Sequence, residues 1–194
     1  MSLIIGIDPG SRMTGYGIIE SRGDVLTFLD AGTIYTEGAD MPLRLAQIFS
    51  GIRRIIEHHK KYRDAPMSAA IEQVFMAQNP DSALKLGQAR GAAIAALTAC
   101  ELEVSEYTAR QIKQAVCGYG AADKEQVTEM VCRFLSLQFV PQTDAADALA
   151  CAICHAHSQH SMKKLIGASI GRSVSKKKGR WRLTEADLLA VKNK

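Results

Sequence analysis

The sequence lacks long hydrophobic segments, an export signal and internal repeats. Its longest weakly polar run, residues 91–100, has ten residues, whereas a membrane-spanning helix needs about 20. The N-terminal segment MSLIIGIDPG has neither a basic start nor a long apolar stretch, which predicts no secretory signal and a cytoplasmic protein. No period of about 20 to 50 residues recurs, which argues against a solenoid. We therefore expect no membrane partner.

Cysteine is scarce and its spacing is uninformative. The five cysteines form an odd set without the spacing of a disulfide framework, so we expect reduced thiols. The segment CAICH at 151–155 matches the C-x-x-C-H pattern of covalent haem attachment. It falls inside a predicted core helix of a chain without an export signal, so we expect Cys151 and Cys154 to be core residues and expect no haem. No GxxxxGK[ST] nucleotide-binding loop occurs either.

The composition is that of one globular domain with an uneven charge distribution. The 194 residues are 47% hydrophobic and 23% charged, enough for a single core. Residues 161–194 hold ten Lys and Arg against two acids, a net charge of +8, whereas residues 1–160 hold 14 against 18, a net charge of −4. We therefore predict a folded domain over 1–160 and a basic, mobile tail over 161–194. Such a tail either binds a polyanion or only keeps the protein soluble.

The hydrophobic pattern predicts an α/β fold. Short apolar runs indicate five strands, which we place at 3–7, 16–19, 25–34, 69–72 and 104–107. Apolar residues at helical spacing indicate helices, which we place at about 42–56, 79–100, 109–116, 127–135 and 143–157. Three strands in a meander followed by alternating helices and strands are typical of a mixed sheet flanked by helices.

Four acids stand where this fold would gather them. Asp8 and Glu72 end buried strands, and Asp144 and Asp147 share one face of the last helix, in its first turn. If the first and fourth strands are neighbours and the last helix crosses their ends, the four carboxylates converge. Four carboxylates this close would repel one another, and the cluster is tolerable if Mg²⁺ or Mn²⁺ occupies it. Two such ions suit phosphodiester hydrolysis.

Each acid also has a purely structural interpretation. Asp8 suits a turn, Glu72 an edge position, and Asp144 and Asp147 a helix N-terminus, where their charge favours the helix dipole. The residues alone leave both interpretations open.

Four separated segments add a resemblance to a known family. GIDPGSRMTGYG, AIEQVFMAQNPDSALKLGQARG, ADKEQV and DAADALA resemble, in order and spacing, the RuvC family of Holliday junction resolvases, over about residues 2 to 157. The resemblance implies a ribonuclease H-like fold, a homodimer, two-metal hydrolysis of four-way DNA junctions by paired nicks in recombination and repair, and RuvA and RuvB as partner proteins. It implies metal ligation by the four acids.

The resemblance also implies roles for three further residues, and the turn after Asp8 offers two more candidates. Lys113 and Lys124 match lysines near the scissile phosphate or along the DNA, and Phe75 matches an aromatic residue that contacts opened bases near the crossover. Without the resemblance, we would place Phe75 in the core and both lysines in solvent. Ser11 and Arg12, in the glycine-rich turn after Asp8, are candidates for phosphate contacts.

One further resemblance is rejected, and two rival functions remain at this point. The glycine-rich turn is also similar to the phosphate loop of actin and sugar-kinase ATPases, but those need two lobes and this chain is too short. A junction-binding protein without catalysis would be indifferent to metal. The intact set of four acids argues against this function. A ribonuclease H-like enzyme could instead cut RNA or RNA–DNA hybrids. The match of the segment around Phe75 to the resolvase family argues against this function.

Overall fold

The computed structural model describes residues 1–62, 65–73 and 79–174, except for the side chains of 163–164 and 166–174. Five strands and five helices lie in these residues, and none of the helices is long and apolar enough to cross a membrane. In chain order they are β1 (Ser2–Asp8), β2 (Met13–Arg22), β3 (Val25–Tyr35), α1 (Met41–Tyr62), β4 (Met67–Gln73), α2 (Pro80–Ala99), β5 (Val104–Thr108), α3 (Ala109–Cys117), α4 (Lys124–Phe134) and α5 (Thr143–Val174). The chain divides into two units after His160, and the sheet belongs to the first.

The five strands form one mixed sheet in the order β3-β2-β1-β4-β5. β1, β2 and β3 are antiparallel neighbours, whereas β4 runs parallel to both β1 and β5. The predicted arrangement, a hairpin meander followed by alternating helices and strands, is therefore confirmed. The first and fourth strands are neighbours, as the clustering of the acids requires.

Helices cover both faces of the sheet because its central strands are apolar on both sides. Ile5 of β1 packs with α1 and α2 through residues such as Ile52 and Ala93. Ile4, on the opposite face of β1, packs with α3, α4 and α5 through residues such as Leu149. A strand that is buried on both faces reads as a continuous hydrophobic run, which is the pattern of residues 3–7.

α5 packs unusually close to the sheet. A Cβ atom built on Gly6 would lie 2.0 Å from the carbonyl oxygen of Ala148, and one on Gly17 would lie 2.7 Å from the Leu149 side chain. Glycine at these positions lets the helix backbone approach β1 and β2 directly. The helix is thereby held in one register against the two strands.

One predicted boundary is wrong. The last helix was expected to end near His157, but α5 continues to Val174. Residues 158–174 contain no proline and only isolated glycines, so no local signal stops the helix. The basic run Lys176–Lys178 lies outside the described residues, so the mobility of the tail stays a prediction.

Candidate active site

Asp8 and Glu72 lie side by side at the carboxyl ends of two adjacent strands. β1 and β4 are parallel and their last paired residues are Ile7 and Ile71, so the next residue of each strand is an acid. In α/β sheets, ligands bind at the carboxyl ends of the parallel strands. The sheet topology therefore places both acids where a ligand site is expected.

The first turn of α5 brings two more acids to this end of the sheet. Gly15 pairs with Asp8 across the β1–β2 ladder, and a Cβ atom built on Gly15 would lie 2.0 Å from the carbonyl oxygen of Asp144. Asp147, one turn further along α5, lines the same cleft as Asp8 and Glu72. The close packing of α5 on the sheet thus determines where both helical acids stand.

A cleft of about 420 Å³ opens at this point, between the sheet and helices α2 to α5. Its charged lining is Asp8, Glu72, Asp147, Lys113 and Lys124. Asp144 adds its charge from the edge, since it contributes to the raised pKa of Asp8. The structure therefore brings together all four predicted acids and both predicted lysines.

Burial and the negative charges of neighbouring acids raise the pKa values of Asp8 and Glu72. Burial, followed by the charges of Glu72, Asp147 and Asp144, raises the pKa of Asp8 to about 7. Burial and then the charge of Asp147 also raise the pKa of Glu72. Carboxyl groups with raised pKa values in a cleft are typical of functional sites. Here the proximity of like charges favours either a bound proton or a bound cation.

Lys124 and Lys113 compensate part of this negative charge. Asp123 caps α4 and forms a capping box with Gln126, so Lys124 is the first residue of that helix. The Lys124 Nζ donates a hydrogen bond to Asp147 Oδ2 at 3.1 Å, and this bond is the main cause of its raised pKa. The charge of Lys113, in α3, opposes the rise in the pKa of Glu72.

The remaining predicted residues stand at the rim or outside the described part of the chain. Ser11 and Arg12 lie in the turn between β1 and β2. Thr36 Oγ1 donates to the carbonyl oxygen of Ser11 at 2.9 Å, and the Thr36 backbone N–H donates to that of Arg12, also at 2.9 Å. The exposed side chain of Arg12 is left to face solvent. Phe75 lies outside the described residues.

Hydrogen bonds from residues outside the cleft support the elements that carry the acids. Thr33 Oγ1 and Tyr35 Oη donate to Gln142 Oε1 at 3.3 and 3.2 Å, which ties β3 to the residue before α5. Arg90 Nε donates to the backbone carbonyl of Glu72 at 3.3 Å. None of these three hydrogen bonds has a signature in the sequence, because each joins residues distant along the chain.

The donor set fits a hard divalent cation in its chemistry. Carboxylate oxygens are the ligands that Mg²⁺ and Mn²⁺ prefer, and four acids against two lysines leave the cleft negative. Among the described residues, no three His, Cys, Asp or Glu side chains are already close enough together to hold an ion.

The sheet order, the helices on both faces and the acids at the ends of β1 and β4 define the class as ribonuclease H-like nucleases. Within that class, the family model described as Crossover junction endodeoxyribonuclease RuvC matches residues 4–155. The chain belongs to this family, whose nucleases depend on divalent metal ions. The predicted fold and family are thus confirmed.

Individual relatives agree with the family assignment. Crossover junction endodeoxyribonuclease RuvC of Psychrobacter cryohalolentis is 73% identical over 190 residues, 97% of this chain and 98% of the relative. That of Acinetobacter baylyi is 66% identical over 181 residues, 90% and 97% of the two chains. Among solved structures, T. thermophilus RuvC in complex with Holliday junction substrate superposes with a TM-score of 0.76 at 29% identity, covering 84% of this chain and 97% of that one.

Proposed function

We propose that this protein is a crossover junction endodeoxyribonuclease that resolves four-way DNA junctions by paired, symmetric nicks during recombination and repair. Membership of the RuvC family supports this function. One structural observation carries it: Asp8, Glu72 and Asp147 line a single cleft with Lys113 and Lys124. Carboxylates that could hold divalent cations, beside lysines, suit the hydrolysis of a phosphodiester, because cations stabilise the negative charge that develops on the phosphate oxygens in the transition state.

The carboxylates of Asp8, Glu72, Asp144 and Asp147 would hold Mg²⁺, with two ions per subunit and Mn²⁺ as a substitute. Bound there, the ions would supply Lewis-acid stabilisation of the phosphate and a nucleophilic water at neutral pH. Asp8 stands centrally, because its pKa responds to the charges of the other three acids. The raised pKa values of Asp8 and Glu72 support the proposal, since a cation would relieve the repulsion that causes them.

Lys124 and Lys113 would bind the DNA at the cleft. Lys124 has a side chain that is 67% exposed and is hydrogen-bonded to Asp147, so it could turn towards a phosphate by giving up one exposed bond. A lysine that contacts phosphate contributes to affinity regardless of base sequence. Arg12 and Ser11 would add contacts in the β1–β2 turn that follows Asp8. Phe75, three residues after Glu72 in the sequence, would contact opened bases near the crossover, as the family resemblance implies.

A homodimer would place two such clefts on one junction. α2 presents an exposed face that includes Leu84, Gly87, Gly91 and Ala95, and Cβ atoms built on its two glycines would meet nothing within 4 Å. Small residues let two helices approach closely. A two-fold pair of clefts matches a junction with two strands of like polarity, and this symmetry would give the paired nicks.

The cellular setting follows from the same assignment. The chain would act in the cytoplasm, together with the RuvA and RuvB branch-migration proteins that the family resemblance implies. The binding of the chain to each purified partner on a preformed junction tests this part of the proposal separately from cleavage.

The activity itself is tested with a synthetic four-way junction, a linear duplex and an RNA–DNA hybrid, each with Mg²⁺ or EDTA. We expect metal-dependent paired nicking of the junction alone, with loss of cleavage but not of binding in Asp8→Asn. Binding without cleavage under any metal would indicate an architectural DNA-binding protein. Preferred cutting of the hybrid would indicate a different substrate for the same fold.

A further inference from the structure

The end of β4 is held differently from the end of β1. The ladder between the two strands ends at Ile7 and Ile71, and Glu72 pairs only with Tyr107 of β5, an edge strand. The carbonyl oxygen of Glu72 accepts a hydrogen bond from Arg90 Nε at 3.3 Å. A side chain from α2 therefore binds the backbone of the acid at the point where the ladder with β1 has stopped.

Arg90 is itself held on its other side. Its guanidinium forms an ion pair with Glu106 of β5, and Gln73 Nε2 donates to the same carboxylate oxygen at 3.3 Å. The Arg90 side chain is 23% exposed and that of Glu106 is 41% exposed, so water screens the pair only in part. A planar guanidinium with both edges occupied has little freedom to rotate, and this fixes the Nε–H that points at Glu72.

α2 gives this contact a rigid base. Ala89, Ala93, Ala96 and Leu97 are completely buried against the sheet and α1, so the helix is held along most of its length. An active site depends on such supporting contacts, because a ligand is placed only as accurately as the group that carries it.

We propose that Arg90 is a positioning residue for Glu72, which holds the end of β4 through the Glu72 carbonyl so that the carboxylate faces Asp8 and Asp147. The inference deepens the proposed function and rests on it. It assigns the Glu106 ion pair the role of orienting Arg90, rather than only that of joining α2 to β5.

A charge swap separates these two roles. Arg90→Gln removes the ion pair and weakens the hold on the Glu72 carbonyl. The double variant Arg90→Glu, Glu106→Arg restores an α2–β5 ion pair but leaves the Glu72 carbonyl without its donor. Arg53→Gln, which breaks an exposed ion pair with Glu57 on α1, is the matched control.

Three measurements are compared in full-length dimeric protein: junction binding in EDTA, the cleavage rate at saturating Mg²⁺, and hydrogen–deuterium exchange of the metal-free protein over residues 67–73. For Arg90→Gln we expect unchanged junction binding, faster exchange, and cleavage slowed about 10- to 100-fold, as is usual when a partner behind a metal ligand is lost. The double variant should bind the junction normally but recover neither the wild-type cleavage rate nor the wild-type exchange. Arg53→Gln should match the wild type in all three.

Either of two results would overturn the inference: wild-type cleavage and exchange in Arg90→Gln, or restored cleavage in the double variant. If the wild type itself cut no junction, the proposed function would fail instead. The exchange rates would then still decide whether Arg90 holds the end of β4.

Discussion

Gly15 lies directly beneath the backbone of Asp144. A Cβ atom at Gly15 would come within 2.0 Å of the Asp144 carbonyl oxygen, and Gly15 is also the ladder partner of Asp8. A single glycine therefore sets the spacing between the strand that carries Asp8 and the helix that carries the other two aspartates.

Replacing this glycine should displace the helix. In Gly15→Ala we expect α5 to shift outward at its start, because backbone atoms cannot yield as a flexible side chain does, at a cost of about 1 to 3 kcal/mol in unfolding free energy. Junction cleavage should fall about 100-fold or more, while junction binding persists. Gly23→Asn is the control, because a Cβ atom at Gly23 meets nothing within 4 Å and Asn tolerates the positive φ there. Wild-type cleavage in Gly15→Ala would contradict the packing argument.

Removing the charge of Asp8 should stabilise the metal-free protein. The folded-state pKa of Asp8 is about 7, against an ordinary 3.8, so the folded state binds this proton more tightly than the unfolded state does. The native protein therefore loses stability as the pH rises from about 4 to 7, and Asp8→Asn avoids that loss. At pH 8 in EDTA, we expect a melting temperature roughly 3 °C or more above that of the wild type.

The pH dependence checks the sign of this effect. The advantage of Asp8→Asn should shrink as the pH falls below about 7, and Mg²⁺ should raise the melting temperature of the wild type more than that of the variant. Glu57→Gln, an exposed acid on α1, should show neither trend. A less stable Asp8→Asn at pH 8 would refute the electrostatic account of the cleft.

Lys124 should contribute to both DNA binding and cleavage. In Lys124→Gln, we expect the slope of log affinity against log salt to fall by about one, as for a lost phosphate contact. Cleavage should slow by about 10-fold or more, since a cation beside the reacting phosphate is lost. Lys61→Gln, at the far end of α1, is the control, and a wild-type salt slope in Lys124→Gln would remove this residue from the DNA interface.

The exposed face of α2 is tested at Gly91. In Gly91→Gln the new side chain enters open space and raises helix propensity, by up to about 1 kcal/mol, so the single chain should not lose stability. Sedimentation should nevertheless show weaker self-association, and cleavage should change from paired to single nicks. Ser50→Gln, exposed on α1, should leave both unchanged, whereas an intact Gly91→Gln dimer would place the interface elsewhere.

The basic tail has its own test. Deletion of residues 161–194 would also remove the end of α5, so truncation after Val174 is the sharper change. It removes seven of the ten Lys and Arg beyond residue 160 and keeps Lys163, Lys164 and Arg172, so it should weaken junction binding and lower its salt slope. An unchanged slope would exclude a role of the removed residues in DNA binding.

The positions of the four acids were largely predictable from sequence. Asp8 follows a buried run and Glu72 another, and the three-residue spacing of Asp144 and Asp147 puts them on one helix face. The pairing of β1 with β4 was only a condition of the predicted cluster, and the structure confirms it. The two strand ends and the shared helix face were predictable because each depends on periodicity within one short segment.

The contacts that hold the acids were not predictable. Arg90 has no sequence signature of its role, because its bond to the Glu72 carbonyl depends on how α2 packs across β4. Gln142 likewise acts through β3, more than 100 residues away in the chain. The predicted end of α5 was wrong, because nothing in the local sequence stops the helix at His157.

The hydrogen bond from Lys124 to Asp147 has a consequence for how the protein is made. An internal ammonium group already neutralises one acid of the cleft, at 3.1 Å, before any external ion arrives. A structural zinc finger, in contrast, cannot fold until its metal is present. We therefore expect a newly synthesised chain to fold before any metal ion binds, and we expect removal of metal by EDTA to leave it folded.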